Sequence, residues 1–381
     1  MLRSLVSLIV IVCAGSAMAA TNELVFKSGF ERPIWVSGYH VGYQNGELPI
    51  DQVNFDDITH LMVGAIVPNT DGTLSQTFFI DSVNGPTWAH SAVDAAHAHA
   101  RKAILMIGGA GAIAGWQSAA SSAHRATFVS NLLAAVSTYG ADGLDLDWEP
   151  IASIDHADLI ALVQALRTNG PPGLLLTMPV APININFPPS GEGPLFTTLY
   201  PLLDQLSVMS YGMAYDYSGW YSWFSSALAG EAGNYPTSVA SSVNYYLGLG
   251  VPAAKLGVGI GFYGECFHNV TTPRTAVASG DLVNADDNTM TYAHIATAYV
   301  PNMTYHYDVA ANAPWLSHTP AVGPEGCTYI TYEDAASIAA KGAYVLSNGL
   351  GGTIIWTVGE GHVGPGNDPV LDAVGAAFLG L

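Results

Sequence analysis

The chain has 381 residues, half of them hydrophobic and only 10% charged, with a formal net charge of −20. That length holds one large domain or two small ones, and the apolar content is ample for a large core. The acidity disfavours nucleic acid as a partner, since a phosphate backbone would meet net repulsion, but leaves neutral polymers open.

In chain order, the first element is an export signal over residues 1–19. Arg3 supplies the positive start, residues 5–14 the apolar stretch and Ala17-Met18-Ala19 a small-x-small cleavage site. Cleavage would leave a secreted chain free of the membrane; an uncleaved anchor is the alternative. No later apolar run approaches the roughly 20 residues of a membrane span. Residues 20–32 are a polar lead-in, and everything from 33 to 381 is assigned to one catalytic domain. Candidate strands fall at 34–39, 60–67, 103–108, 143–149, 174–180, 205–211, 256–262 and 352–358. Candidate helices fall at 91–102, 123–139, 155–169, 236–248 and 332–348. Eight strands alternating with helices argue for parallel βαβ units and, at this count, a closed (β/α)8 TIM barrel of the α/β class.

One gap between strands is far longer than a crossover helix needs. Residues 264–330 are rich in Asn, Asp, Pro and Tyr and read as a small α+β insertion between the seventh and eighth strands. Cys266 and Cys327 stand near its two ends, whereas Cys13 lies in the signal. An even pair in an exported chain points to a disulfide pinning the insertion's base to the barrel, with two free buried thiols as the alternative.

The chemistry concentrates in Asp142-Gly-Leu-Asp145-Leu-Asp147-Trp-Glu149. Side chains alternate along a strand, so Asp145, Asp147 and Glu149 share one face and Leu144, Leu146 and Trp148 the other. In a barrel the apolar set meets the helices and the acidic set points inward. Glu149 is then at the C-terminal end of its strand, where barrel active sites are built. Asp142 has the opposite parity at the strand's start and is assigned a structural role. Three carboxyls stacked this way cannot all ionise cheaply, and a carboxyl held protonated is what a general acid needs. A divalent cation site on the same oxygens is the competing reading.

The segment resembles the D-G-x-D-x-D-x-E signature of family 18 glycoside hydrolases, the chitinases and their relatives. Other segments agree in order: Val36-Ser-Gly38-Tyr39, Ile58-Thr-His60-Leu, Met106-Ile-Gly108-Gly109 (Met where the family usually has Ser), Met209-Ser-Tyr211, the run from Lys255 to Gly264, and Gly351-Gly352-Thr-Ile-Ile-Trp356. The resemblance implies a retaining, substrate-assisted hydrolysis in which the sugar's own 2-acetamido oxygen attacks the anomeric carbon, with no cofactor and no metal. Carried over by motif, Glu149 is the general acid and base, Asp147 orients the acetamido group, Asp145 tunes Asp147 and Tyr211 bonds the acetamido oxygen. Trp356 would floor the sugar pocket, with Tyr39, Gly108, Gly109 and Met209 lining the barrel mouth.

One departure is the Gly212 that follows Tyr211, where the family most often has Asp or Asn. Asp216 is the candidate to swing into that gap, and Trp220 is a candidate sugar platform on the same loop. The expected partner is chitin or another N-acetylglucosamine polysaccharide, acted on by a monomer. Two rivals stay open: an endo-N-acetylglucosaminidase acting on N-glycans or peptidoglycan, and a catalytically dead lectin. The presence of Glu149 weighs against the lectin.

Overall fold

The computed structural model describes residues 34–381, so the expected export signal and the whole lead-in lie outside the described residues. Eight parallel strands close on themselves. They are β1 (Trp35–Val41), β2 (His60–Pro68), β3 (Lys102–Gly108), β4 (Gly143–Asp147), β5 (Leu175–Val180), β6 (Gln205–Val208), β7 (Leu256–Gly261) and, after the insertion, β13 (Gly352–Trp356). Each pairs with its neighbours around the ring, and β1 closes it by pairing with both β2 and β13. This is the (β/α)8 barrel.

The strands match their expected positions within a few residues, because each is a short run buried on both faces, most of them rich in aliphatic residues. Two stop early for visible reasons. β4 ends at Asp147 because the Trp148 amide turns back to the Leu146 carbonyl. That turn lets Trp148 stack on Trp116 outside the barrel, centroids 5.1 Å apart. β6 ends at Val208, after which the Ser210 amide turns back in the same way.

Around the barrel run α1 (Asn84–Ala98), α2 (Ile113–Ala119), α3 (Arg125–Tyr139), α4 (His156–Asn169), α5 (Gly193–Leu199) and α6 (Val239–Gly248), with a further helix at Ala335–Ser347 before β13. The first begins seven residues before its expected start. Its Asn84-Gly-Pro opening reads as a turn, but Pro is tolerated in a first turn, where amides have no helical partner. The Asp81 carboxylate accepts the Val83 and Asn84 amides there.

The insertion carries its own antiparallel sheet: β8 (Glu265–Phe267), β9 (Leu282–Asn284), β10 (Thr304–Asp308), β11 (Ala313–Val322) and β12 (Cys327–Thr331). Its spatial order is β9-β8-β12-β11-β10. Cys266 and Cys327 are bonded, with Cα atoms 5.4 Å apart. The expectation of a pin to the barrel is corrected in one respect. The bridge joins adjacent strands β8 and β12 of the insertion's sheet, within an apolar cluster of Met290, Ile295, Tyr299 and Leu316. It therefore ties the insertion's two ends to each other.

Candidate active site

The acidic strand faces inward as its alternation requires. Leu144 and Leu146 are fully buried against the helices, and Asp145 and Asp147 are buried in the barrel interior. Asp145 is the deepest. Tyr39 Oη donates to its Oδ2 at 2.6 Å and Thr177 Oγ1 donates to its Oδ1. Burial pushes its pKa up to about 6 even though both hydroxyls favour the carboxylate. With both oxygens taken by hydroxyls, Asp145 is a poor donor for a cation.

Asp147 and Glu149 hydrogen-bond to each other. Burial raises Asp147 well above the usual carboxylate range, and the charges of Glu149 and Asp145 raise it further. Burial also raises Glu149, while its bond to Asp147 pulls it the other way. The two carboxyls can therefore share a proton across this bond. Asp147 Oδ1 is buried with no partner in the protein.

Above these carboxyls is a cavity of about 240 Å³. Tyr39, Asp147, Glu149, Met209, Tyr211 and Trp356 all line it, so six side chains picked out from the sequence converge. Trp356 is tilted against Tyr39 with ring centroids 5.4 Å apart. Gly108 lies just below. It has φ +95°, and a Cβ there would meet Trp116 Nε1 at 2.2 Å and the Asp147 carbonyl at 2.4 Å. Only glycine lets that strand end pass so close to the acidic one. Gly109 continues the turn, its amide donating to the Asp147 carbonyl, and the cavity wall on this side is Ala110. Met106 belongs to the apolar filling of the barrel interior.

Three expected residues stand elsewhere. Asp142 is at the opposite end of β4, accepting from Lys102 Nζ, His97 Nε2 and the Ala103 amide, which is the structural role assigned to it. Asp216 does not fill the gap at Gly212. Its carboxylate is occupied by the Gly280 and Leu282 amides of the insertion. Trp220 packs with Tyr215 and Tyr217 as an aromatic trio on the loop after β6, outside the cavity lining.

Two side chains that the motifs did not single out complete the cavity: Tyr263 and Asp287. A Cβ on Gly212 would stand 2.7 Å from Tyr263 Oη and 4.0 Å from Glu265 Oε1, so these groups occupy the space of the missing side chain. Tyr263 follows β7 at the C-terminal edge of the barrel, where barrel sites form, and that position is the signal the sequence carries for it. Asp287 comes from the insertion and accepts Trp356 Nε1 at 2.7 Å, which fixes the indole.

The sequence model of the glycosyl hydrolases family 18 matches residues 36–361. The chain belongs to this family. It is 25% identical to a chitinase-like effector from Moniliophthora perniciosa over 88% of this chain and 85% of that one. It is 26% identical to Chitinase 1 of Aphanocladium album over 86% and 81%. Among solved structures, a mutant of the class V chitinase from Nicotiana tobaccum in complex with NAG4 superposes with a TM-score of 0.74. Identity is 23%, over 91% of this chain and 99% of that one, a likeness of fold. Family 18 membership makes the chain a glycoside hydrolase. Among the described residues of this family 18 hydrolase, no helix is long and apolar enough to cross a membrane.

Proposed function

We propose that this hydrolase is a secreted chitinase, cleaving β-1,4-linked N-acetylglucosamine polymers with retention of configuration. The observation that carries the reading is the convergence of Asp147, Glu149, Tyr211 and Trp356 on one cavity. Glu149 gives its proton to the glycosidic oxygen as the C1–O bond breaks. The acetamido carbonyl oxygen of the same sugar takes C1 and forms a cyclic oxazolinium ion. Asp147, with one oxygen free, receives the acetamido N–H and stabilises the developing positive charge. Tyr211 Oη holds the acetamido oxygen in line, and the Trp356 face supports the distorted ring. Glu149, now ionised, takes a proton from water as the hydroxyl returns to C1. Asp145, held by Tyr39 and Thr177, keeps Asp147 raised from beneath. The chitinases among the relatives support chitin as the substrate.

The test is hydrolysis of chitohexaose beside an N-glycan and peptidoglycan, with the anomer of the first product read by NMR. Chitohexaose cleavage giving the β-anomer first is expected. Cleavage of only the other two substrates, or an α-anomer, would overturn the proposal.

A further inference from the structure

Lys341, on the helix Ala335–Ser347, is fully buried, which is rare for a lysine, and no step of the proposed reaction uses it. Its Nζ stands 2.6 Å from Oε1 of Glu333, a buried residue just beyond β12. That contact is one of charge, while the aligned hydrogen bond of Nζ goes to the Ser226 carbonyl at 2.8 Å. Ser226 Oγ donates onward to the Ser210 carbonyl at 2.5 Å. The next residue is Tyr211, a wall of the sugar cavity. Ser225 acts on the same segment: its Oγ accepts the Gly212 amide and its carbonyl the Met213 amide. Ser210, Ser225 and Ser226 are all buried.

Tyr211 needs such bracing. It follows the end of β6, and its ring lies over two glycines of β7. A Cβ on Gly259 would stand 2.7 Å from Tyr211 Cε1, and one on Gly261 3.0 Å from its Cβ. These two positions offer the ring room but no side chain to grip it, and Gly212, at φ +60°, offers none either. The backbone at 210–212 therefore does much to aim Tyr211 Oη. A buried ion pair is a poor source of stability, because desolvation offsets the attraction and an apolar pair of similar volume often does as well. What an ammonium adds is donors that can fix a carbonyl in place.

We propose that Lys341 is a positioning residue for Tyr211: from behind the site it fixes the Ser226 carbonyl, and through the Ser226 hydroxyl the peptide that carries Tyr211. The inference rests on the chitinase chemistry proposed above, in which Tyr211 Oη holds the acetamido oxygen in line. Lys341 itself touches neither the sugar cavity nor the reacting groups. Glu333 supplies the counter-charge at the insertion's exit, so the brace forms where the insertion, the loop after β6 and the helix before β13 meet.

The experiment is a double-mutant cycle on chitohexaose turnover. Lys341→Met is combined with Glu333→Gln, so that no buried charge is left alone, and the pair is placed in the wild-type and Tyr211→Phe backgrounds. In the wild-type background kcat should fall by about 10- to 100-fold, the cost of a small misplacement, while chitotetraose still binds by calorimetry. In the Tyr211→Phe background the same pair should cost less than about two-fold, because the group it aims is already gone. An equal loss in both backgrounds would overturn the positioning role, as would an unchanged kcat in the folded pair variant. Should the pair variant fail to fold, Ser226→Ala removes only the hydroxyl on Ser210 and runs through the same cycle. There too, an additive loss or none overturns the proposal. Tyr211→Phe turning over at the wild-type rate would overturn the chemistry proposed for Tyr211 and the role of Lys341 with it.

Discussion

Glu265 gives a prediction whose sign and size both follow from its surroundings. It opens the insertion's sheet at 1% exposure, and its Oε2 has no partner. Burial, opposed by a hydrogen bond from Ser225 and helped by the charge of Glu333, pushes its pKa from 4.5 up to about 8. Between those values the unfolded chain has released this proton and the folded chain has kept it. Stability therefore falls as pH rises from about 4.5 and levels off above 8. At about 1.4 kcal/mol per pH unit, the penalty at pH 7 reaches a ceiling of about 3 kcal/mol. Glu265→Gln keeps the shape and removes the charge. Urea unfolding with the disulfide intact should show the variant gaining on the wild type as pH rises, by under about 1 kcal/mol at pH 5 and up to about 3 kcal/mol at pH 7. A fixed cost of placing the amide would appear equally at both pH values, so the slope isolates the carboxyl. An unchanged difference between pH 5 and pH 7 would refute the reasoning.

Tyr39→Phe removes a hydroxyl that now stabilises the Asp145 carboxylate, so the Asp145 pKa should rise further above about 6. The expected outcome is a stability loss of about 1–3 kcal/mol, with the acid limb of the kcat profile moving to higher pH; an unmoved limb would count against Asp145 as the group beneath Asp147. Replacing Cys266 and Cys327 by Ser opens a loop with a sequence separation of 61. Loop-closure entropy puts the cost at about 4 kcal/mol, seen as a lower melting temperature. Two titratable thiols in the native wild type would contradict the bridge.

Much of the fold was legible because a parallel barrel repeats one local signal. Each strand is a short buried run, and eight of them in alternation with helices leave few other architectures. The acidic strand was legible for the same reason: alternation alone puts Asp145 and Asp147 on one face, and the leucines between them demand burial. What escaped depends on contacts far apart in the chain. Nothing local in Asp287 says that it meets Trp356, 69 residues away, because that contact is made by the way the insertion folds back. Asp216 misled for the opposite reason. Its distance from Gly212 was right for filling the gap, but the insertion's amides at Gly280 and Leu282 compete for it. The short helices Ile113–Ala119 and Gly193–Leu199 have too few turns to display a periodicity.

The central claim is that Glu149 is the acid and base of the reaction. Its most direct test is Glu149→Gln, which removes the transferable proton and keeps the side chain's size. Turnover of chitohexaose and binding of chitotetraose by calorimetry should be measured on the same preparations. The account predicts that kcat falls by about 10²–10⁴-fold or more while chitotetraose still binds and the melting temperature is kept. Turnover at the wild-type rate in this variant would contradict it.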